Sequence, residues 1–383
     1  MHMFTIIKKD RNSKARLGVL KTAHGIVKTP SYVIVGTYGQ IRYLSPSDIK
    51  KTKTQLIIAN TFHLWKVANK KPLKFGKIST MTDSGGFQVL SLAFSDKNKA
   101  GKFMTGTPDA NTKLKRDKIK ITSNGVYFAF NGKRLFLGPE LSMKIQEKIG
   151  ADIVFAFDHI TSPLDTYAYN KKALELTDKW AKICLKHKGK NQALFGIVQG
   201  GLFKDLRIKS AKSIGTMTFD GFGIGGSYTK KQIAKVLKWI IPHLPEEKPR
   251  HLLGVGKIED IFEAVENGID TFDCVIPTRE ARHGRLYTKK GTIDIRRGYF
   301  SKDKKVIEPS CGCPTCSKKI SRSQISALLK NPIRKQNTKG QRLCLMHNMW
   351  FFNNLLEKIR KSIAKNRFIE FKKKTLTNFL SQY

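Results

Sequence analysis

The sequence predicts an α/β fold, a (β/α)8 (TIM) barrel with a smaller cysteine-bearing subdomain inserted near its C-terminus. Three observations carry this. Short apolar runs alternate with helical patterns along most of the chain, several of these runs end in Asp, Gln or Gly-Gly, and three cysteines cluster late in a basic, loop-rich stretch.

The apolar runs come in order. TQLIIAN (54–60) and ISTMTD (78–83) begin the series, and ADIVFAFD (151–158), ALFGIVQGG (193–201), FDGFGIGGS (219–227), RHLLGVG (250–256) and GIDTFDCVIPT (268–278) continue it. Helical patterns lie between them, as in Tyr167 to His187 and Thr229 to Ile241. Such alternation implies parallel strands joined by crossover helices. Polar residues at the strand ends favour a barrel, where active-site groups come from the C-terminal ends of several strands. A doubly wound sheet is the competing architecture. Its dinucleotide fingerprint is missing, because GFGIGG lacks the full glycine spacing and the later acidic residue.

Positions 95–130 are irregular and read as an insertion between barrel elements. Residues 1–295 are expected to form the catalytic barrel, 296–350 the subdomain, and 351–383 a helix packing back on the barrel. Met349, Phe352, Leu355, Leu356 and Ile359 supply the apolar stripe of that helix.

The charge balance points to a polyanion partner: 72 Lys+Arg face 29 Asp+Glu, a formal net charge of +43. Lysines are scattered along nearly every segment, so an AT-rich genome explains part of the excess. No apolar stretch approaches the ~18 residues of a membrane span, and the N-terminus lacks the apolar segment of a signal peptide. A cytoplasmic protein without membrane contact is expected.

Cys184 and Cys274 sit in apolar surroundings and read as reduced structural thiols. Cys311, Cys313 and Cys316 fall within six residues. Without an export signal, such a cluster favours a metal over disulfides. Zinc suits a tetrahedral set of soft ligands, and His347 or Cys344 can supply the fourth.

Two acids stand out. Asp83 lies in TDSGGFQ, where Gly85-Gly86 lets backbone approach a ligand closely. Asp273 ends a strand and is followed by Pro277, Arg279 and Arg282; taken alone, this is equally well a plain ion pair.

The motifs TDSGGFQVLSL, FDHITSP, LFGIVQGG, GIGGS, LLGVGKIEDIFEAVENGIDTFDCVIPTR and CGCPTC followed by HNMWFF occur in this order. Together they resemble the tRNA-guanine transglycosylases, also called queuine tRNA-ribosyltransferases, over nearly the whole chain. The likeness is to the bacterial form, without the extra RNA-binding domains of archaeal relatives. It implies exchange of the wobble-position guanine of a tRNA anticodon loop for a 7-deazaguanine base, within queuosine modification.

The resemblance also implies residue roles. Asp273 matches the nucleophile that attacks the ribose anomeric carbon, and Asp83 the general acid/base. Asp158 and Gln199 match the groups that read the base edge, with the Gly226 amide on its carbonyl oxygen. Phe87 and Leu253 match the side chains that sandwich the base. Asn60 lies where the family contacts the ribose, and Arg279 and Arg282 where it binds RNA. One structural Zn2+ per chain is implied on Cys311, Cys313, Cys316 and His347, with Cys344 a packed thiol, and a homodimer is the implied assembly.

The chain departs from the family pattern in three places. His159 and Ile160 follow Asp158, where bacterial members usually show Glu and Cys. Ser227, Tyr228, Thr229, Lys230 and Lys231 follow Gly226, where Leu and a nearby acid are usual. The spacer from Cys316 to His347 is several residues longer than usual. The first two changes face the 7-substituent of the base, so queuine is expected to be accepted, or preferred over the cationic aminomethyl base. Three other functions compete. A non-catalytic tRNA-binding partner subunit would be expected to lose the carboxylates retained here. A DNA-directed relative would use the same arginines, but both aspartate contexts match the tRNA enzymes. A zinc hydrolase would need an open coordination position, and three Cys plus one His leave none.

Overall fold

In the computed structural model, which describes residues 3–93, 119–226 and 230–380, eight parallel strands close into a barrel. In chain order they are Ser31–Val35, Leu56–Ala59, Ser79–Thr82, Ile153–Phe155, Ala193–Val198, Gly221–Ile224, Arg250–Leu252 and Thr271–Cys274. The eighth strand closes on the first, from Thr271 beside Ser31 to Cys274 beside Ile34. Helices cover the outside and side chains fill the inside, so the strands are buried on both faces. Leu56–Ala59 and Ile153–Phe155 are accordingly buried throughout.

Seven of these strands match the apolar runs named above, and the remaining strand, Ser31–Val35, lies in none of those runs. It follows β-structure with no helix before it, so the strand–helix alternation begins only after it. The residues ahead of it form an antiparallel sheet of Phe4–Lys9, Arg16–Thr22 and Gly25–Thr29. Phe4, Leu20 and Val27 from this sheet share one apolar cluster with Val33, Leu56, Met81, Ile153 and Phe195 of the barrel. Thr22 meets Ser79 at 2.8 Å, and His24 meets Asp152 at 2.8 Å, both where barrel strands begin. The sheet therefore plugs the N-terminal end of the barrel and leaves chemistry to the other end.

Within the expected insertion, positions 119–130 are not irregular. Ile119–Thr122, Gly125–Phe130 and Lys133–Leu137 form a three-stranded antiparallel sheet, while 94–118 lie outside the described residues. The Trp180 indole donates to the Ser123 carbonyl at 2.9 Å and ties this sheet to the helix Tyr167–Lys186.

The C-terminal region is organised by one helix of 31 residues, Arg334–Ala364, which runs unbroken through position 350. Asn348 donates to the carbonyls of Arg285 at 2.9 Å and Pro277 at 3.3 Å. Asn353 donates to Thr52 at 2.9 Å, and Phe352 packs on Tyr32 of the first barrel strand. The same helix thus grips the barrel and carries His347. A second apolar core lies against it, built from Leu286, Ile295, Phe300, Ile307, Ile325 and Leu343, with Cys313, Cys316 and Cys344 included.

Candidate active site

Parallel strands in a closed barrel deliver their C-terminal ends to one rim. Asn60, Asp83, Asp158, Gln199, Gly226 and Leu253 each follow one of these ends within three residues, and Asp273 is the penultimate residue of the eighth strand. Phe87 stands half-buried in the helix Gly86–Ala93, just beyond Asp83.

Asp83 is the most heavily engaged. Its Oδ1 accepts from the backbone N–H of Thr61 and of Gly85, both at 3.0 Å, and its Oδ2 accepts from Asn60 Nδ2 at 2.6 Å. Burial pushes this carboxyl up to about 7; the hydrogen bonds from Thr61, Gly85 and Asn60 oppose the rise, and the negative charge of Asp273 adds to it. Asn60 caps the short helix Thr61–Leu64, accepting from His63 N–H at 3.1 Å, so one side chain both starts a helix and holds the acid.

At the ends of the next two strands round the barrel from that of Asp83, Gln199 Nε2 donates to Asp158 Oδ2 at 2.6 Å. Burial pushes Asp158 up to about 6 against hydrogen bonds from Gln199 and Ser84. Gln199 Oε1 is buried without a hydrogen-bond partner among the described residues. A Cβ on Gly225 would lie 2.5 Å from Gln199 Nε2, so glycine there leaves the amide its place beside Asp158, and Gly226 follows at φ +124°. Leu253 is half-buried, its N–H donating to the Ile224 carbonyl at 3.2 Å.

Asp273 has a different setting. Oδ1 accepts from Gly254 N–H at 3.2 Å and from His251 Nε2 at 3.1 Å, whereas Oδ2 has no protein hydrogen bond among the described residues. The two carboxyls are therefore unlike: one held through both oxygens and driven toward protonation, the other held through one oxygen with the second open.

Arg279 and Arg282 end the helix Ile276–Arg282 that follows Asp273. Burial pulls the Arg282 guanidinium down, and the charges of Arg42 and Arg279 add to that pull. Arg42 and Arg279 are both exposed, so three cations share this edge of the rim.

His159 packs away on the outer helix, stacked on Trp180 at 6.0 Å with Nε2 3.0 Å from the Tyr169 hydroxyl. Ile160 beside it is half-buried. Ser227, Tyr228, Thr229 and the side chains of Lys230 and Lys231 lie outside the described residues.

The ligand atoms of Cys311, Cys313, Cys316 and His347 lie within 4.8 Å of one another. The three sulfurs stand 3.9, 3.4 and 3.6 Å from His347 Nδ1. A tetrahedral zinc with bonds of ~2.3 Å to sulfur and ~2.0–2.1 Å to nitrogen separates such atoms by about 3.6 Å. His347 Nε2 lies 2.8 Å from the Tyr287 carbonyl, which can only accept, so Nε2 carries the hydrogen and Nδ1 is left to ligate. The donor set fits zinc. Cys344, on the same helix, stays outside this group as a fully buried thiol pushed up to about 12 by burial.

Further residues join the site: His251, Thr61 and Arg207, with the Gly254 N–H on Asp273 and the exposed Arg42. His251 is a polar residue inside the apolar run RHLL, which was the available signal. Thr61 acts through its backbone, which leaves no signal in residue type. Arg207, wholly buried, donates to the carbonyls of Gly201 at 2.7 Å and Gly225 at 2.8 Å. It ties together the ends of the fifth and sixth strands beneath Gln199 and Gly226.

One rim of an α/β barrel thus carries two dissimilar carboxyls and a buried acid–amide pair, groups suited to acid–base and covalent chemistry. The queuine tRNA-ribosyltransferase family model matches residues 10–381. The queuine tRNA-ribosyltransferase of Halothermothrix orenii is 36% identical over 394 residues, covering 99% of this chain and 98% of the relative. That of Francisella tularensis subsp. novicida is 38% identical over 391 residues, covering 98% of each. A putative queuine tRNA-ribosyltransferase of Archaeoglobus fulgidus is 39% identical over 400 residues, covering 96% of this chain and 98% of the relative. The chain belongs to the queuine tRNA-ribosyltransferase family and is a pentosyltransferase. No helix among the described residues is long and apolar enough to cross a membrane.

Proposed function

We propose that this enzyme exchanges the wobble-position guanine of a tRNA anticodon for a 7-deazaguanine base by double displacement through a covalent Asp273–ribose intermediate. The unlike settings of Asp83 and Asp273 carry the reading. A nucleophile needs an oxygen free to attack, which Asp273 Oδ2 offers. A general acid needs a proton at neutral pH, which burial of Asp83 favours. In the first half, Oδ2 bonds to the anomeric carbon, the bond to the base breaks, and Asp83 protonates the departing nitrogen. In the second, Asp83 takes the proton of the incoming base, whose nitrogen attacks the same carbon and releases Asp273. Two displacements retain configuration, as in retaining glycosidases.

The base is read by Asp158 and Gln199, with the Gly226 N–H on its carbonyl oxygen. A carboxylate suits the adjacent N–H donors of guanine, and the unpartnered Gln199 Oε1 adds an acceptor. Phe87 and Leu253 close over the two faces of a base taken out of its loop. Asn60 serves Asp83 directly and reaches the ribose from the same position. Arg279 and Arg282, joined by Arg42, face the phosphates flanking the target nucleotide. Zinc held by Cys311, Cys313, Cys316 and His347 would cross-link the subdomain to the long helix. The incoming base is proposed to be queuine, which rests on the apolar Ile160 beside Asp158.

Labelled-guanine exchange into tRNA, followed against pH, tests the assignment of Asp83. Release of the old base needs Asp83 protonated, so the first-half rate should fall as pH rises through about 7. A first-half rate that is flat from about pH 6 to 8 would remove Asp83 from that role.

A further inference from the structure

Side chains two apart on a strand share a face, and parallel neighbours in register stand side by side. His251 on the seventh strand pairs with Thr271 on the eighth, and Asp273 follows two residues along the same face. The His251 ring is completely buried and packs 5.1 Å from Phe155. Its Nδ1 lies 2.9 Å from the Thr271 hydroxyl, and its Nε2 lies 3.1 Å from Asp273 Oδ1. A nucleophilic carboxylate has no hydrogen to give, so the hydrogen of this contact belongs to Nε2. In the neutral ring Nδ1 is then the acceptor, and the Thr271 hydroxyl supplies the hydrogen that holds this tautomer.

We propose that His251, oriented by Thr271, is a positioning residue that fixes the Asp273 carboxylate through Oδ1 and so presents Oδ2 to the anomeric carbon. The inference rests on the reading of Asp273 as nucleophile. Gly254 N–H binds the same Oδ1 at 3.2 Å, so both donors fall on one oxygen and the rotation of the carboxylate is set. When Oδ2 attacks, its lone pair forms the bond to carbon, and the pair of the broken bond leaves with the base, which takes its proton from Asp83. Oδ1 becomes the carbonyl oxygen of the ester and keeps both donors. In the return step the Oδ2–carbon bond breaks, its electron pair returns to the carboxylate, and His251 and Gly254 meet the restored charge. One arrangement therefore serves both half-reactions.

The test compares His251→Leu, His251→Gln and Thr271→Val in labelled-guanine exchange with tRNA. Single-turnover formation of the covalent adduct is measured alongside, with Asp273→Asn as reference. Leu fills the space without a donor, and kcat and adduct formation should fall about 10- to 100-fold while KM for tRNA stays within about twofold. Gln retains an N–H that reaches Oδ1 and should recover most of the loss. Thr271→Val should give a smaller loss of the same kind. Equal impairment of folded Leu and Gln variants would make the histidine a packing residue, and a native rate in the Leu variant would overturn the proposal outright. Should the Leu variant fail to fold, Thr271→Val decides alone: slowed chemistry at unchanged KM supports the proposal, and a native rate overturns it. Exchange persisting in Asp273→Asn would instead remove the nucleophile reading itself, whatever the His251 variants do.

Discussion

Asp273→Asn should abolish base exchange and the covalent tRNA adduct while leaving tRNA binding close to native. The substitution is nearly isosteric. Its amide oxygen can keep the hydrogen bonds that Gly254 and His251 make to Oδ1, so the rim should hold its shape. What changes is the outward atom: an uncharged amide nitrogen replaces the free oxygen and cannot form the ester. Removing a covalent nucleophile costs on the order of 10^4-fold or more in kcat, far beyond the loss of a supporting hydrogen bond. Denaturing electrophoresis of protein mixed with tRNA reads the outcome directly. A shifted band is expected from the native protein and none from the variant, and an undiminished band from the variant would refute the assignment.

The second large effect concerns the metal. His347→Ala and Cys313→Ser should each reduce bound zinc from one per chain to near none, and Cys344→Ala should retain it. The subdomain core includes Cys313 and Cys316, and His347 sits on the helix that grips the barrel. Losing the ion therefore removes a cross-link between them and leaves three thiols crowded in a buried site. Metal binding in small zinc sites contributes about 10–16 kcal/mol of apparent folding free energy, so the subdomain should melt well before the barrel. Metal analysis with thermal unfolding separates the candidates. Zinc lost from Cys344→Ala and kept by His347→Ala would reverse the ligand assignment.

Much of this was legible in the sequence, because a parallel barrel writes itself as apolar runs between helical repeats. The run LIIA is buried on both faces and reads as a strand without help. Ser31–Val35 did not, since its apolar run is preceded by β-structure and no helix period announces it. The site divides in the same way. Asp83 and Asp273 stand out as acids at the ends of strand-like runs, whereas the roles of Asp158 and Gln199, and the choice of Asp273 over a plain ion pair, come from the family resemblance. Contributions made through backbone, such as the Thr61 and Gly254 N–H groups, carry no such mark. Arg207 and His251 are visible as residues, but their purpose depends on which strands become neighbours. Gly225 beside Gln199 and His251 beside Asp273 are contacts between adjacent strands, set by barrel closure and not by sequence distance.

Base exchange in RNA by this pentosyltransferase can be read in a single assay. The native protein is incubated with radiolabelled guanine and an anticodon stem-loop RNA carrying guanine at the wobble position, with duplex DNA of matching sequence in parallel. Label should enter the RNA without cleavage of its backbone, and the DNA should stay unlabelled. Label in the DNA alone, or in neither, would contradict this activity.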